Sequence, residues 1–218
     1  MVLGIYGSGG LGREVLDLAL SVNAKSIEWE KIVFIDDNKS VPIVNGSDVF
    51  SFEEFRAFFP AGVSKIVIAV GEPVIRQKLR EKVAADGYGL QTLVHPSAFV
   101  GTDTHLGDGT IVQFGSFVSC NSDIGENVLI QPITCIGHDC IIGRDAVVSP
   151  LAAISGNCRI GERAYIGGSV PVKESITIGS DSIVGMGSAV LRDIPDNVVA
   201  LGNPARPMKN NDDGRVFK

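Results

Sequence analysis

Residues 124–143 read IGENVLIQPITCIGHDCIIG, and in them Ile124, Ile130, Ile136 and Ile142 stand six places apart. The spacing runs on without a gap in both directions. Val94, Val100, Leu106, Val112 and Val118 precede it, and Val148, Ile154, Ile160, Ile166, Val172, Ile178, Val184 and Val190 follow. The residue two places before each aliphatic is usually small, as at Ser122, Thr134, Cys140 and Ala146, and glycine often comes next, as at Gly125, Gly137 and Gly143. An α-helix drifts against a strict period of six, because its own repeat is about 3.6. A short strand and a turn repeated every six residues does not drift, and three such strands close one triangular coil. The aliphatic residue fills the interior, the small one fits beside it near the corner, and coils stack through backbone hydrogen bonds about 4.8 Å apart. This half of the chain is therefore an all-β parallel β-helix.

Outward from the array the character changes near Thr92. Before it, apolar runs at Val2–Tyr6, Ile32–Ile35 and Lys65–Val70 read as strands, and Arg13–Leu20, Phe52–Phe59 and Glu72–Ala84 read as helices. That alternation predicts a small Rossmann-like α/β unit with a parallel sheet. After Val190 the period fails, and Pro195, Pro204 and Pro207 oppose further regular pairing. The expected organisation is an α/β unit over 1–91, the β-helix over 92–191, and a cap and polar, frayed tail over 192–218.

A formal net charge of −6 does not suit nucleic acid or an anionic membrane face as main partner. The opening residues lack a basic region and do not read as a signal peptide, and no stretch is long and apolar enough to span a bilayer. Cys120, Cys135, Cys140 and Cys158 form no CxxC pair and read as buried, reduced thiols. The expected location is the cytoplasm.

Two groups of residues carry chemistry. Gly7-Ser8-Gly9-Gly10-Leu11-Gly12 follows a strand and opens a helix, with Asp36 and Asp37 ending the next strand, which fits the glycine fingerprint of a dinucleotide site. The physics is broader than the name: a tight turn and a helix N-terminus suit any phosphate-bearing ligand, a nucleotide-activated sugar included. A purely structural turn is the alternative. In the second group His138 stands two places after inward Ile136, off both packing positions of its repeat, and Asp139 beside it can fix the imidazole tautomer. On spacing alone the pair reads first as a surface turn.

Taken together, Ile5–Val15, Phe34–Asp37, Ala69–Gly71 with Arg76, Val94–Ala98, Ile136–Cys140 and Gly202–Arg206 resemble the bacterial sugar acetyltransferases that include bacillosamine and perosamine N-acetyltransferases and sialic acid O-acetyltransferases. The resemblance covers nearly the whole chain. It implies a left-handed coil and a homotrimer with active sites between neighbouring β-helices. It implies acetyl-CoA as co-substrate without a metal, and His138 as general base oriented by Asp139. It places Gly156, Ser149, Gly168, Met186 and Arg206 on the acetyl-CoA side. Ser8, Gly9, Gly10, Asp36, Asp37, Gly71, Arg76 and Gln131 fall on the side of the nucleotide-linked sugar. A UDP-linked 4-amino-4,6-dideoxy sugar is the preferred acceptor, GDP- or dTDP-linked sugars come next, and a sialic acid hydroxyl is the alternative. Many family members carry a second histidine where this chain has Val147. Trp29, Phe114 and Phe117 are candidates for a sugar or base pocket.

Two rivals use the same scaffold. A zinc-dependent γ-type carbonic anhydrase needs three clustered histidines, and the chain holds only His95, His105 and His138 without that spacing. A trimer that kept the fold and lost the chemistry has no use for the His138–Asp139 pair.

Overall fold

The computed structural model describes residues 1–26 and 28–217. In the first unit β1 (Val2–Tyr6), β2 (Lys31–Ile35), β3 (Ile43–Val44), β4 (Ser47–Phe50) and β5 (Ser64–Ile68) form one sheet in the order β3-β4-β2-β1-β5. Pairing is parallel except between β3 and β4. Helix α1 (Gly10–Asn23) lies on one face, and α2 (Phe52–Phe58) and α3 (Pro73–Ala85) complete the core on the other. Ser51 and Glu54 form a reciprocal capping box at the start of α2. The β3–β4 hairpin turns on Asn45-Gly46, both at positive φ, a turn signal the strand reading passed over.

Sixteen two-residue strands, β6 (Leu93–Val94) to β21 (Ile183–Val184), build the β-helix, and from the first of them to Tyr165–Ile166 each pairs in parallel with the strand eighteen residues on. They sort into three faces. The first runs from Leu93–Val94 through Leu129–Ile130 to Ile183–Val184, the second from Phe99–Val100 to Pro171–Val172, and the third from His105–Leu106 to Thr177–Ile178. The second residue of each pair points inward, and from Val112 onward these are fully buried in one continuous core. The small residues recur for a further reason: hydroxyls of Thr104, Thr110, Ser116, Ser122 and Thr134, and the Cys140 and Cys158 thiols, each donate to a carbonyl fifteen residues on. Most turns place one non-glycine residue near φ +57°, among them Asn121, Ile133, Asp139, Leu151 and Asn157. Asn and Asp tolerate that region, whereas Ile133 and Leu151 are strained there.

The first face is covered. Outward Leu93, Ile111, Leu129 and Val147 share a core with Leu3, Ile5, Val15, Leu16 and Ala19 of the α/β unit. A buried polar bridge fixes the orientation. Arg76 of α3 gives all five of its N–H bonds to the Ile68, Val70 and Asn127 carbonyls and the Asn127 side chain, and Arg80 forms a forked pair with fully buried Asp145.

The C-terminal segment departs from expectation. After Val190 the chain regains regular pairing: β22 (Val198–Leu201) extends the first face in parallel, and β23 (Arg206–Asn210) pairs with it antiparallel. The tail is not frayed. It returns to the α/β unit, where Val216 and Phe217 donate their N–H groups to the Glu72 carboxylate. Cys140 and Cys158 are buried, but Cys135 is exposed on the second face, against the expectation of buried thiols throughout.

Candidate active site

The turn that carries His138 is fixed by its neighbours. Gly137 has no room for a side chain, since a Cβ there would lie 2.6 Å from the Gly156 nitrogen in the next coil. Asp139 takes the left-handed position of the turn and bonds the Cys120 carbonyl below, while the His138 carbonyl accepts from Asn157 above. The side chains are thereby left outside the prism. His138 Nδ1 lies 2.6 Å from Asp139 Oδ2, and both side chains are about half exposed. The far edge of the ring faces Gly156: a Cβ on that glycine would stand 2.6 Å from Nε2 and Cε1. Only glycine permits this approach, and its N–H has no protein acceptor among the described residues.

The remaining candidates separate. His138, Asp139 and Gly156 occupy the edge between the second and third faces, whereas Gln131, Ser149, Gly168 and Met186 occupy the edge between the first and second. Met186 is almost fully exposed, Ser149 is buried, and a Cβ on Gly168 would touch Met186. Arg206 is exposed on β23. A single protomer does not unite these residues. A cleft of about 230 Å³ opens beside the second group, between Glu14, Asp17 and Ser21 of α1 and His95, Phe114 and Pro132. Of its lining the sequence offered only Phe114 as a pocket residue. His95, His105 and His138 stand on a first–second edge, the third face and a second–third edge, respectively.

At the carboxyl ends of the sheet strands, β1 and β5 are neighbours whose connections leave in opposite directions, which makes the crevice between them a topological switch point. Gly7 has φ +112°, and a Cβ on Gly12 would collide with the Gly7 carbonyl, so this turn requires both glycines. Asp36 closes the loop by accepting from the Ser8 N–H and hydroxyl, while Gly9 and Gly10 stay exposed. Asp37 bonds the Tyr6 hydroxyl, Lys82 and the Phe52 N–H. Burial pushes its carboxyl up, but the bonds to Lys82, Tyr6 and Phe52 outweigh that and hold it below the usual range.

Two expectations are corrected here, and the place of Val147 is explained. Arg76 is wholly buried with every donor committed to protein oxygens, so it has none to offer a ligand. Trp29 is a core residue, 2 % exposed. Val147, where relatives of the resembling family place a second histidine, is sealed between the first face and the α/β unit.

Known proteins bear on this geometry. Residues 2–83 match the family described as the PglD N-terminal domain. The acetyltransferase domain of PglB from Neisseria gonorrhoeae FA1090, solved with acetyl coenzyme A, is 32% identical with a TM-score of 0.89, covering 95% of this chain and 98% of that one. PerB from Caulobacter crescentus, solved with CoA and GDP-perosamine, is 31% identical with a TM-score of 0.87, over 96% and 98%. Two curated relatives align over half of this chain. GDP-perosamine N-acetyltransferase of Escherichia coli O157:H7 is 31% identical, and UDP-N-acetylbacillosamine N-acetyltransferase of Bacillus subtilis strain 168 is 33% identical. The matched part spans about half the length of each. Among the described residues no helix is long and apolar enough to cross a membrane. Across nearly its full length, this chain belongs to the family of left-handed β-helix, acetyl-CoA-dependent sugar acetyltransferases with a PglD-type N-terminal domain.

Proposed function

We propose that the protein acetylates the amino group of a nucleotide-linked 4-amino-4,6-dideoxy sugar, by direct transfer from acetyl-CoA with His138 as general base. The observation that carries this is the His138 ring, held at Nδ1 by Asp139 and packed at its Nε2 edge against Gly156, whose N–H has no protein acceptor among the described residues. With Nδ1–H donating to the carboxylate, Nε2 keeps its lone pair. As the neutral amine attacks the thioester carbonyl, Nε2 takes one proton from the attacking nitrogen. The C–N bond forms, and the tetrahedral oxyanion is met by the Gly156 N–H. Collapse breaks the C–S bond, and the imidazolium returns its proton to the departing thiolate. The products are the N-acetyl sugar and CoA.

The acceptor is held by the crevice at the glycine loop, with the exposed Gly9 and Gly10 at the N-terminus of α1 meeting phosphate. The relatives divide between UDP- and GDP-linked substrates. A UDP-linked sugar is our first choice and a GDP-linked one the second. The working form is a homotrimer. His138 and the Gln131–Met186 column lie on different edges of one prism, so a site using both needs two copies. An enzyme consuming acetyl-CoA in this way works in the cytoplasm, where that thioester is made.

Thiol release from acetyl-CoA, followed with a panel of UDP-, GDP- and dTDP-linked 4-amino sugars and free sialic acid, tests the reading. One amino sugar turns over; turnover of sialic acid alone, or of nothing, refutes it. His138→Ala keeps the oligomer and loses about a hundred- to ten-thousand-fold in rate.

A further inference from the structure

Residues 211–217 run to the switch-point crevice. After β23, Asn211 bonds the Asp181 carbonyl through its side chain and Asn197 through its N–H. The chain turns at Gly214, which has φ +60° and comes close to Val74 of α3. Val216 and Phe217 then place their N–H groups 2.9 and 3.0 Å from the two oxygens of Glu72. Glu72 immediately follows Gly71 and sits at the start of α3, where its side chain makes no capping bond of its own. The Phe217 ring meets Tyr165 of the first face edge-on at 5.8 Å. It also lies 3.6 Å from where a Cβ on Gly71 would stand, and Leu11 of the glycine loop lies 4.0 Å from the same point.

We propose that Phe217 is a substrate-binding residue: held by Glu72 over the crevice between the loops after β1 and β5, it offers a stacking platform to the base of the nucleotide-linked sugar. This rests on the reading of the glycine loop as the nucleotide-sugar site. The ring is not there for core packing, since 57% of the residue is exposed. It is fixed instead by main-chain bonds to a carboxylate, an arrangement that positions a side chain without burying it. A phenyl face beside a phosphate-binding turn suits a planar base, because every base has a π-face and stacking needs no matching donor pattern. The two N–H groups also cover the Glu72 charge, which would otherwise face an arriving pyrophosphate.

Calorimetric titration of the full chain with UDP, with GDP and with acetyl-CoA tests this in Phe217→Ala, Phe217→Trp and Glu72→Ala. Phe217→Ala weakens the nucleotide that binds wild type by about tenfold, and Phe217→Trp restores it. Glu72→Ala repeats the loss by releasing the strap, and acetyl-CoA affinity stays unchanged in all three. Unchanged or tighter nucleotide binding by Phe217→Ala overturns the platform and leaves the crevice reading standing. A wild-type protein that binds neither UDP nor GDP overturns the crevice reading and the platform with it.

Discussion

The second and third faces of the prism are made from the same two-residue strands in the same register, yet they turn different surfaces to solvent. Outward positions of the third face are His105, Asp123, Ile141, Arg159 and Thr177, a mostly polar series. Those of the second are Phe99, Phe117, Cys135, Ala153 and Pro171, all exposed, with the two phenylalanines stacked 5.0 Å apart. Phe114, Ile133 and Leu151 continue the apolar surface around the first–second edge, each more than half exposed. A monomer rarely leaves so contiguous an apolar patch open. One face suits water and the other suits the neighbouring copy in the proposed trimer, and His138 stands on the edge between them.

The largest effect expected from that difference follows Phe117→Glu. A charge placed at the centre of the second face has no partner when two prisms meet, and an unpaired buried charge costs several kcal/mol. The proposed trimer falls to monomer in sedimentation velocity, and thiol release is lost with it while the circular dichroism spectrum of the protomer persists. A monomeric wild type, or a trimeric Phe117→Glu, would show that this face is not the contact.

Next in size is the first face, which the α/β unit already covers. Replacing Arg76 with Met leaves the Ile68, Val70 and Asn127 carbonyls without their donors in a fully buried place. A loss of about 3 kcal/mol or more in chemical denaturation is expected. Nucleotide affinity per folded molecule should not fall, because the guanidinium has no N–H left for a ligand. A variant of wild-type stability with weakened UDP or GDP binding would return Arg76 to the substrate.

The β-helix was legible because its signal is long. One side-chain position in six is locked by the stacked interior, so the inward residues from Val112 to Val190 can be counted off along the sequence. His138 and Asp139 were legible as departures from that rule. Gly156 came only from family resemblance, and its reason, the closeness of the imidazole in the coil below, is a contact eighteen residues apart that no local pattern carries. Arg76 was misread for a similar cause. Resemblance alone put it on the sugar side, and its five hydrogen bonds become visible only when α3 meets the Asn127 turn fifty-one residues away. The returning tail was missed because three prolines argue against a strand in isolation, whereas β22 supplies a ready edge for β23.

Ile133 probes the same boundary more gently. At φ 58° a β-branched residue is strained, and Asn accepts that conformation far better. Ile133→Asn should stabilise the isolated protomer by about 1 kcal/mol while weakening the trimer by removing apolar surface from its edge. Opposite signs in denaturation and in dilution-dependent dissociation are the expected pattern. A gain in both would mean that Ile133 touches no neighbour.

The smallest effect belongs to Ile141→Glu, the counterpart of Phe117→Glu on the third face. Ile141 is the outward member of its pair, 38% exposed, with Asp123 and Arg159 directly below and above it in the stack. A carboxylate there remains in water between the Asp123 carboxylate and the Arg159 cation, whose effects oppose each other, so stability should change by no more than about 0.5 kcal/mol. The oligomer and the turnover should not change at all. The substitution adds the same charge as Phe117→Glu on the same kind of strand, so any difference between the two reports the face alone. If Ile141→Glu also broke the assembly, the charged face would be the contact surface, and the edge carrying His138 would have to meet its neighbour from the opposite side.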